Sequence, residues 1–167
     1  MKRGESRRSH IIGRFKRHIS RLRHRRGHGV HSPYIYNIVR EVFMNRKAEV
    51  NKTPLYSALL NIGVKQRSVR EIENLRHHCG FSTFVIDSRE CADMAICTTS
   101  TSQEFVGEIL KVAQQNGTTV VILSPYLTPR RGDMCSSIIA THTSTTLSRR
   151  GYLIVFNNHL PKQHFSL

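Results

Sequence analysis

The sequence predicts an α/β protein made of a parallel βαβ unit, a closing antiparallel hairpin and an N-terminal helical extension. Three observations carry that prediction. Thr118-Thr119-Val120-Val121-Ile122-Leu123 is a β-branched run without polar alternation, the pattern of a strand covered on both faces. The run lies beyond a helix-like stretch that follows a short apolar segment, Ala92-Asp93-Met94-Ala95-Ile96-Cys97, and strand, helix, strand in succession reads as a parallel crossover. Ser144 to Leu147 and Tyr152 to Phe156 flank Arg149-Arg150-Gly151, as in an antiparallel pair joined by a turn.

With 167 residues, 38% of them hydrophobic, the chain is long enough for one domain burying about 70% of its unfolded surface. Charge divides it in two. The net charge is +15, and residues 1–31 hold eleven Lys and Arg against Glu5 alone, so +10 of it sits in an N-terminal arm and about +5 in residues 32–167. A concentrated positive field favours polyanions such as RNA, DNA or an anionic membrane surface.

Within the arm, Ile11, Ile12, Phe15, Ile19 and Leu22 recur at helical spacing from about Ser9 to Arg26. Arg14, Lys16, Arg17, Arg21, Arg23, Arg25 and Arg26 fill the rest, giving a basic amphipathic helix whose cations are the candidate polyanion-binding residues. Phe15 is the only aromatic before Tyr34, so contacts to phosphate are expected rather than contacts to bases. Gly27 and Gly29 stop this helix and form a hinge.

Ser32-Pro33 opens the domain as helix cap and first helical residue, because the hydroxyl takes an orphan N–H and proline has none to lose. Ile35, Ile38, Val39, Val42 and Phe43 form the stripe of that helix. After a polar connector, Lys47 to Lys52, the sequence Thr53-Pro54 repeats the cap, with Leu55, Leu59 and Ile62 as stripe and Gly63 as stop. Ser68-Val69-Arg70-Glu71 reads as a capping box opening a further helix through Ile72 and Leu75 to Gly80. Ser82 to Ile86 has strand length and texture. Thr101-Ser102-Gln103-Glu104 reads as another capping box, for a helix through Phe105, Ile109, Leu110 and Ala113 to Gly117. A loop from Ser124 to Gly132 and a short helix from Asp133 to about Thr141 precede the hairpin.

Cysteines 79, 91, 97 and 135 form no CxxC pair and no zinc-finger spacing, so neither a disulfide framework nor a metal site is expected, and His77-His78-Cys79 has no second cluster to complete it. No apolar run reaches the length of a membrane span, and the N-terminus lacks the apolar stretch of a signal peptide. A cytoplasmic protein is expected, although an Arg- and Ser-rich start also fits an organelle transit peptide. GxGxxG, P-loop, HExxH and Gly-x-Ser-x-Gly are absent from the sequence. Among the carboxylates beyond residue 80, only Asp87 falls just past a core strand, the ligand side of a doubly wound sheet, where a turn-forming Asp-Ser is the competing reading.

Two separated segments carry a family resemblance. His28-Gly29-Val30-His31-Ser32-Pro33-Tyr34-Ile35-Tyr36, and Gly151-Tyr152-Leu153-Ile154-Val155-Phe156 with Leu160-Pro161-Lys162-Gln163-His164-Phe165, resemble the two ends of a bacterial family of class I S-adenosylmethionine-dependent methyltransferases. The resemblance implies a partial Rossmann-like, methyltransferase-like three-layer sheet. Where that family has strands ending in Ile-Asp-Gly and Asp-Asp-Ile, this chain has Cys97-Thr98-Thr99 and Ser124-Pro125-Tyr126. The helical pair of residues 54–79 occupies the place of the family's glycine-rich turn and ribose-binding acid.

Three functional readings follow, in order of preference. The first is a shortened, non-catalytic relative of those enzymes, without cofactor, whose arm (residues 1–31) binds nucleic acid or an anionic membrane while residues 32–167 form a single domain. Because the core stripes all lie after the hinge, that domain is expected to fold without the arm. The second takes the arm as an RNA-binding or membrane-surface device unrelated to methyl transfer. The third is an active small methyltransferase in which Asp87, Thr98, Ser124 and Tyr126 hold S-adenosylmethionine in a rebuilt site.

Overall fold

A computed structural model describes residues 32–44 and 53–167, so the arm with its hinge and the Lys47 to Lys52 connector lie outside the described residues. The described residues form a mixed α/β structure with five helices and one six-stranded mixed sheet.

Helix α1 (Pro33–Ile38) starts where Ser32 Oγ accepts from Ile35 N at 3.5 Å, and it runs on into a π-helical turn, Val39–Phe43. Ile35, Ile38, Val39 and Val42 are buried, as the sequence stripe requires. Thr53 caps α2 (Pro54–Asn61) through its hydroxyl, 3.1 Å from Tyr56 N. Helix α3 (Gln66–His78) departs from expectation: it begins before Ser68, with Lys65 at the cap position and no side-chain cap. Ser68-x-x-Glu71 is therefore no capping box, because the Glu71 carboxylate is drawn inward to Arg149 and Tyr152.

Strands β1 (Phe84–Ile86), β2 (Met94–Cys97) and β3 (Thr119–Leu123) pair in parallel. Helix α4 (Gln103–Asn116) crosses from β2 to β3 and ends at Gly117, whose φ of 74° lets it occupy the left-handed cap. Its N-cap is Ser102, not Thr101, since the Thr101 hydroxyl is turned into the interior. Helix α5 (Pro129–Thr141) starts earlier than Asp133, because Thr128-Pro129 is a third hydroxyl-then-proline cap, with Thr128 Oγ1 3.2 Å from Arg131 N.

Strands β4 (Thr146–Ser148) and β5 (Tyr152–Val155) form the expected antiparallel pair, and β5 also pairs antiparallel with β3. A sixth strand, β6 (His164–Ser166), lies parallel to β4 and is not foreseen as a strand from sequence. The order across the sheet is β1-β2-β3-β5-β4-β6.

Both faces are covered, which explains the unalternating strand sequences. Met94, Ile96, Val121 and Leu123 pack with the buried stripes of α1 to α3, including Ile38, Leu59, Val69, Ile72 and Leu75. Ala95, Cys97, Val120 and Ile122 pack on the other side with Val106, Ile109 and Ala113 of α4 and Cys135 of α5. No described helix is long and apolar enough to cross a membrane.

Candidate functional site at the carboxyl edge of the sheet

The connection from β1 to β2 is short for a parallel pair, which ordinarily needs a crossover of about a dozen residues. Residues 87–93 suffice because the strands are three and four residues long. An aspartate stands at each end of this return. At the amino ends, Asp93 Oδ2 accepts from Ser82 N at 2.9 Å and Thr83 N at 2.8 Å, and from both hydroxyls at 2.9 Å. These donors, led by the Thr83 N–H, hold its pKa down at about 2.

At the carboxyl ends, Asp87 takes a left-handed φ of 48° and turns its carboxylate toward β2. Oδ1 accepts from Thr98 N at 2.8 Å and from the Thr101 hydroxyl, and Oδ2 from Thr98 Oγ1 at 2.5 Å. On the other side of the same loop lies Arg131 of α5, only 5% exposed. Its guanidinium donates to Thr98 O (2.7 Å), Leu123 O (3.1 Å from Nη2) and, more weakly, Thr101 O (3.4 Å). Thr98 and Thr101 thus bridge a carboxylate, through hydroxyl and N–H groups, and a guanidinium, through carbonyls. The arrangement ties the carboxyl ends of β1, β2 and β3 to α5. Burial in its shadow, with the Asp87 charge second, pushes the Cys97 thiol up to about 12, and burial raises Cys135 to about 11, so neither is a thiolate nucleophile at neutral pH.

The four residues singled out for a cofactor all lie along this edge. Asp87 and Thr98 engage each other. Ser124, with a left-handed φ of 46°, follows β3 and donates its N–H to Gly151 O at 2.7 Å. Tyr126 is partly buried, its ring 3.5 Å from where a Cβ on Gly132 would stand. Asp87 and Ser124 stand at two left-handed turns, and the Asp87 carboxylate, the Thr98 and Thr101 hydroxyls and the Thr98 carbonyl are engaged with one another and with Arg131. Thr101 and Arg131 are the participants that sequence reading missed: the first resembled a cap, and the second lay in an Arg-Arg-Gly stretch that read as loop. The seven arm cations, Arg14, Lys16, Arg17, Arg21, Arg23, Arg25 and Arg26, lie outside the described residues.

A second polar cluster joins α3 to the β4–β5 turn. Glu71 accepts from Arg67 Nε at 3.1 Å, Tyr152 OH at 2.8 Å and the Arg149 guanidinium, which also stacks 4.7 Å over the Phe43 ring. Burial first, then the Glu71 charge, holds the Tyr152 hydroxyl well above its ordinary pKa, so it serves as a donor. A cavity of about 290 Å³ lies elsewhere, between α4 and α5, lined by Gly107, Leu110, Ile138 and His142 among others, and it includes none of the foreseen site residues. Among the described residues no group of three His, Cys, Asp or Glu is placed to hold a metal.

No family model, curated protein or solved structure matches the chain.

Proposed function

We propose that the chain is a polyanion-binding protein, a shortened and non-catalytic relative of the methyltransferases it resembles at its two ends, in which the N-terminal arm is the binding element. One observation carries the reading: +10 of the net +15 is concentrated in residues 1–31, interleaved with a single apolar stripe. Parallel β1 to β3 with helices on both faces support the finer assignment, a partial Rossmann-like sheet. The carboxyl edge supports the loss of catalysis, because its acid and its hydroxyls are committed to one another and to Arg131.

Isothermal titration with S-adenosylmethionine, beside salt-dependent binding to nucleic acid and to anionic vesicles, tests this. No heat with the cofactor is expected. Six phosphate contacts from the arm give a slope of log affinity against log salt near about −5 on duplex. Micromolar cofactor binding, or polyanion binding that survives neutralising the arm arginines, overturns the reading.

A further inference from the structure

We infer that the outer stripe of α3, with the β4–β5 turn packed on its first turn, is a second phosphate-binding surface that takes the sugar-phosphate backbone of a nucleic acid. The inference deepens the reading of the chain as a polyanion-binding protein and rests on it.

Helix α3 sorts its charges by side. Its two carboxylates face inward: Glu71 is 5% exposed and Glu73 2% exposed. Glu71 is held by Arg67, Arg149 and Tyr152, and Glu73 takes Arg76 Nε at 2.9 Å and Nη2 at 2.7 Å on one oxygen. The stripe between them, at positions 67, 70, 74, 77 and 78, carries Arg67, Arg70, Asn74, His77 and His78 and no acid, with Arg67 paired to Glu71 and Asn74 donating to Val42 O at 3.4 Å. Lys65 is exposed just before the helix. Arg70 makes no ion pair with a described residue, and its buried Nε has no hydrogen-bond partner.

The β4–β5 turn adds to this face. Gly151 sits so close to α3 that a Cβ there would come within 2.9 Å of Ser68 Oγ, while Arg149 is tied to Glu71. Between these anchors the exposed Arg150 stands beside the first turn of the helix. Residues 65–78 and 149–151 hold six Lys and Arg against two carboxylates, a net +4, when all of residues 32–167 sums to +5. Arg40, on the π-helical turn that packs against α3, adds nothing, since the exposed Glu41 beside it cancels its charge.

The chemistry favours phosphodiester backbone over a lipid surface. An interfacial helix inserts an apolar face, whereas Val69, Ile72 and Leu75 of α3 are spent on the core. The exposed large hydrophobics, Tyr36, Met44, Leu60, Ile62 and Leu127, all lie on other segments. What α3 offers is a cluster of cations on its first two turns, Lys65, Arg67 and Arg70, with Arg150 beside them on the turn. Such a cluster binds a polyphosphate and reads no base.

The test uses the full chain and end-labelled duplex DNA, duplex RNA and single strands of each, with binding followed by fluorescence anisotropy from about 50 to 200 mM salt. Lys65→Gln with Arg150→Gln removes two exposed cations that make no described ion pair, and a melting curve checks that the fold is kept. The expected result is affinity weakened several-fold and a salt slope shallower by about 2 on duplex. The four probes show whether RNA or DNA is the source of the backbone. Arg14→Gln with Arg17→Gln and Arg21→Gln is measured in parallel. Wild-type affinity and slope in the Lys65/Arg150 variant, with loss in the arm variant, overturns the α3 surface and leaves the arm reading standing. The reverse pattern removes the arm and supports the α3 surface. Absence of nucleic-acid binding by the wild-type chain overturns both. Loss confined to binding of phosphatidylserine-rich vesicles also overturns the inference, assigning the face to lipid.

Discussion

Asp87→Ala distinguishes a strand clamp from a ligand-binding acid. The substitution removes the acceptor of three hydrogen bonds, from Thr98 N (2.8 Å), Thr98 Oγ1 (2.5 Å) and the Thr101 hydroxyl. Hydrogen bonds to a charged group contribute about 1.5–3 kcal/mol each. Part is recovered, because Thr101 Oγ1 already lies 3.1 Å from Thr98 O and can donate there instead. Alanine also tolerates the left-handed φ of 48° less well than aspartate, at a cost of about 1 kcal/mol. The expected loss is about 3–5 kcal/mol, read as a lower urea midpoint at unchanged m and a melting temperature lower by about 10 °C. Asp87→Asn keeps one acceptor oxygen and the tolerance of left-handed backbone, so its loss is expected at about 1–2 kcal/mol. An alanine variant within about 0.5 kcal/mol of wild type, the range of ordinary surface changes, refutes the clamp and returns Asp87 to the pool of ligand-binding acids.

The remaining expectations are local. The depressed Asp93 pKa means the unfolded chain binds this proton first, so its contribution is complete above about pH 4 and is lost as pH falls toward about 2; Asp93→Asn should lower the urea midpoint at pH 7 and flatten its decline in that window. Thiol titration of the native protein should modify exposed Cys91 first and half-buried Cys79 more slowly, with Cys97 and Cys135 reacting only in denaturant, and early reaction of Cys97 would contradict the packing around it. Helix-cap removal should follow geometry: Thr53→Ala, losing a 3.1 Å bond, is expected to cost about 1 kcal/mol and Ser32→Ala, losing a 3.5 Å bond, about 0.5 kcal/mol, by urea denaturation. Equal or inverted costs would show that cap distance does not set the energy.

Signals confined to a few consecutive residues were readable in the sequence. Ser32-Pro33, Thr53-Pro54 and the glycine stop at 117 each act within one turn of helix, and the structure places them as expected. Buried parallel strands were readable for a related reason, since covering both faces removes alternation. The errors share another cause. Glu71 looked like a capping partner of Ser68, but Arg149 and Tyr152, some 80 residues away in sequence, hold it more strongly. Thr101 looked like a cap and is instead a donor to Asp87, and Arg131 lay in a stretch that read as loop and is a buried crosslink at the start of a helix. Each of these depends on a partner that no local window contains. Strand β6 was missed because three residues ending in Phe165 and Ser166 gain their strand character only from pairing with β4. The hold on Glu71, shared by Arg67 of its own helix with Arg149 and Tyr152 of the hairpin, was likewise hidden until Arg149 was placed.

The aspartate at each end of the β1–β2 return also divides the sheet into regions of unequal resistance to opening. Strands β2, β3 and β5 are buried along their whole length, whereas all three residues of β1 are half-buried and the strand lies at the sheet's edge, attached on one side only. Side-chain staples do for β1 what burial does for the centre. Amide exchange should therefore find β1 with residues 82–93 opening as a unit well below the global unfolding free energy, while the amides of β3 report global unfolding alone. In acid, where Asp93 titrates, that unit detaches first, and the two-faced core of β2, β3 and β5 outlasts the edge.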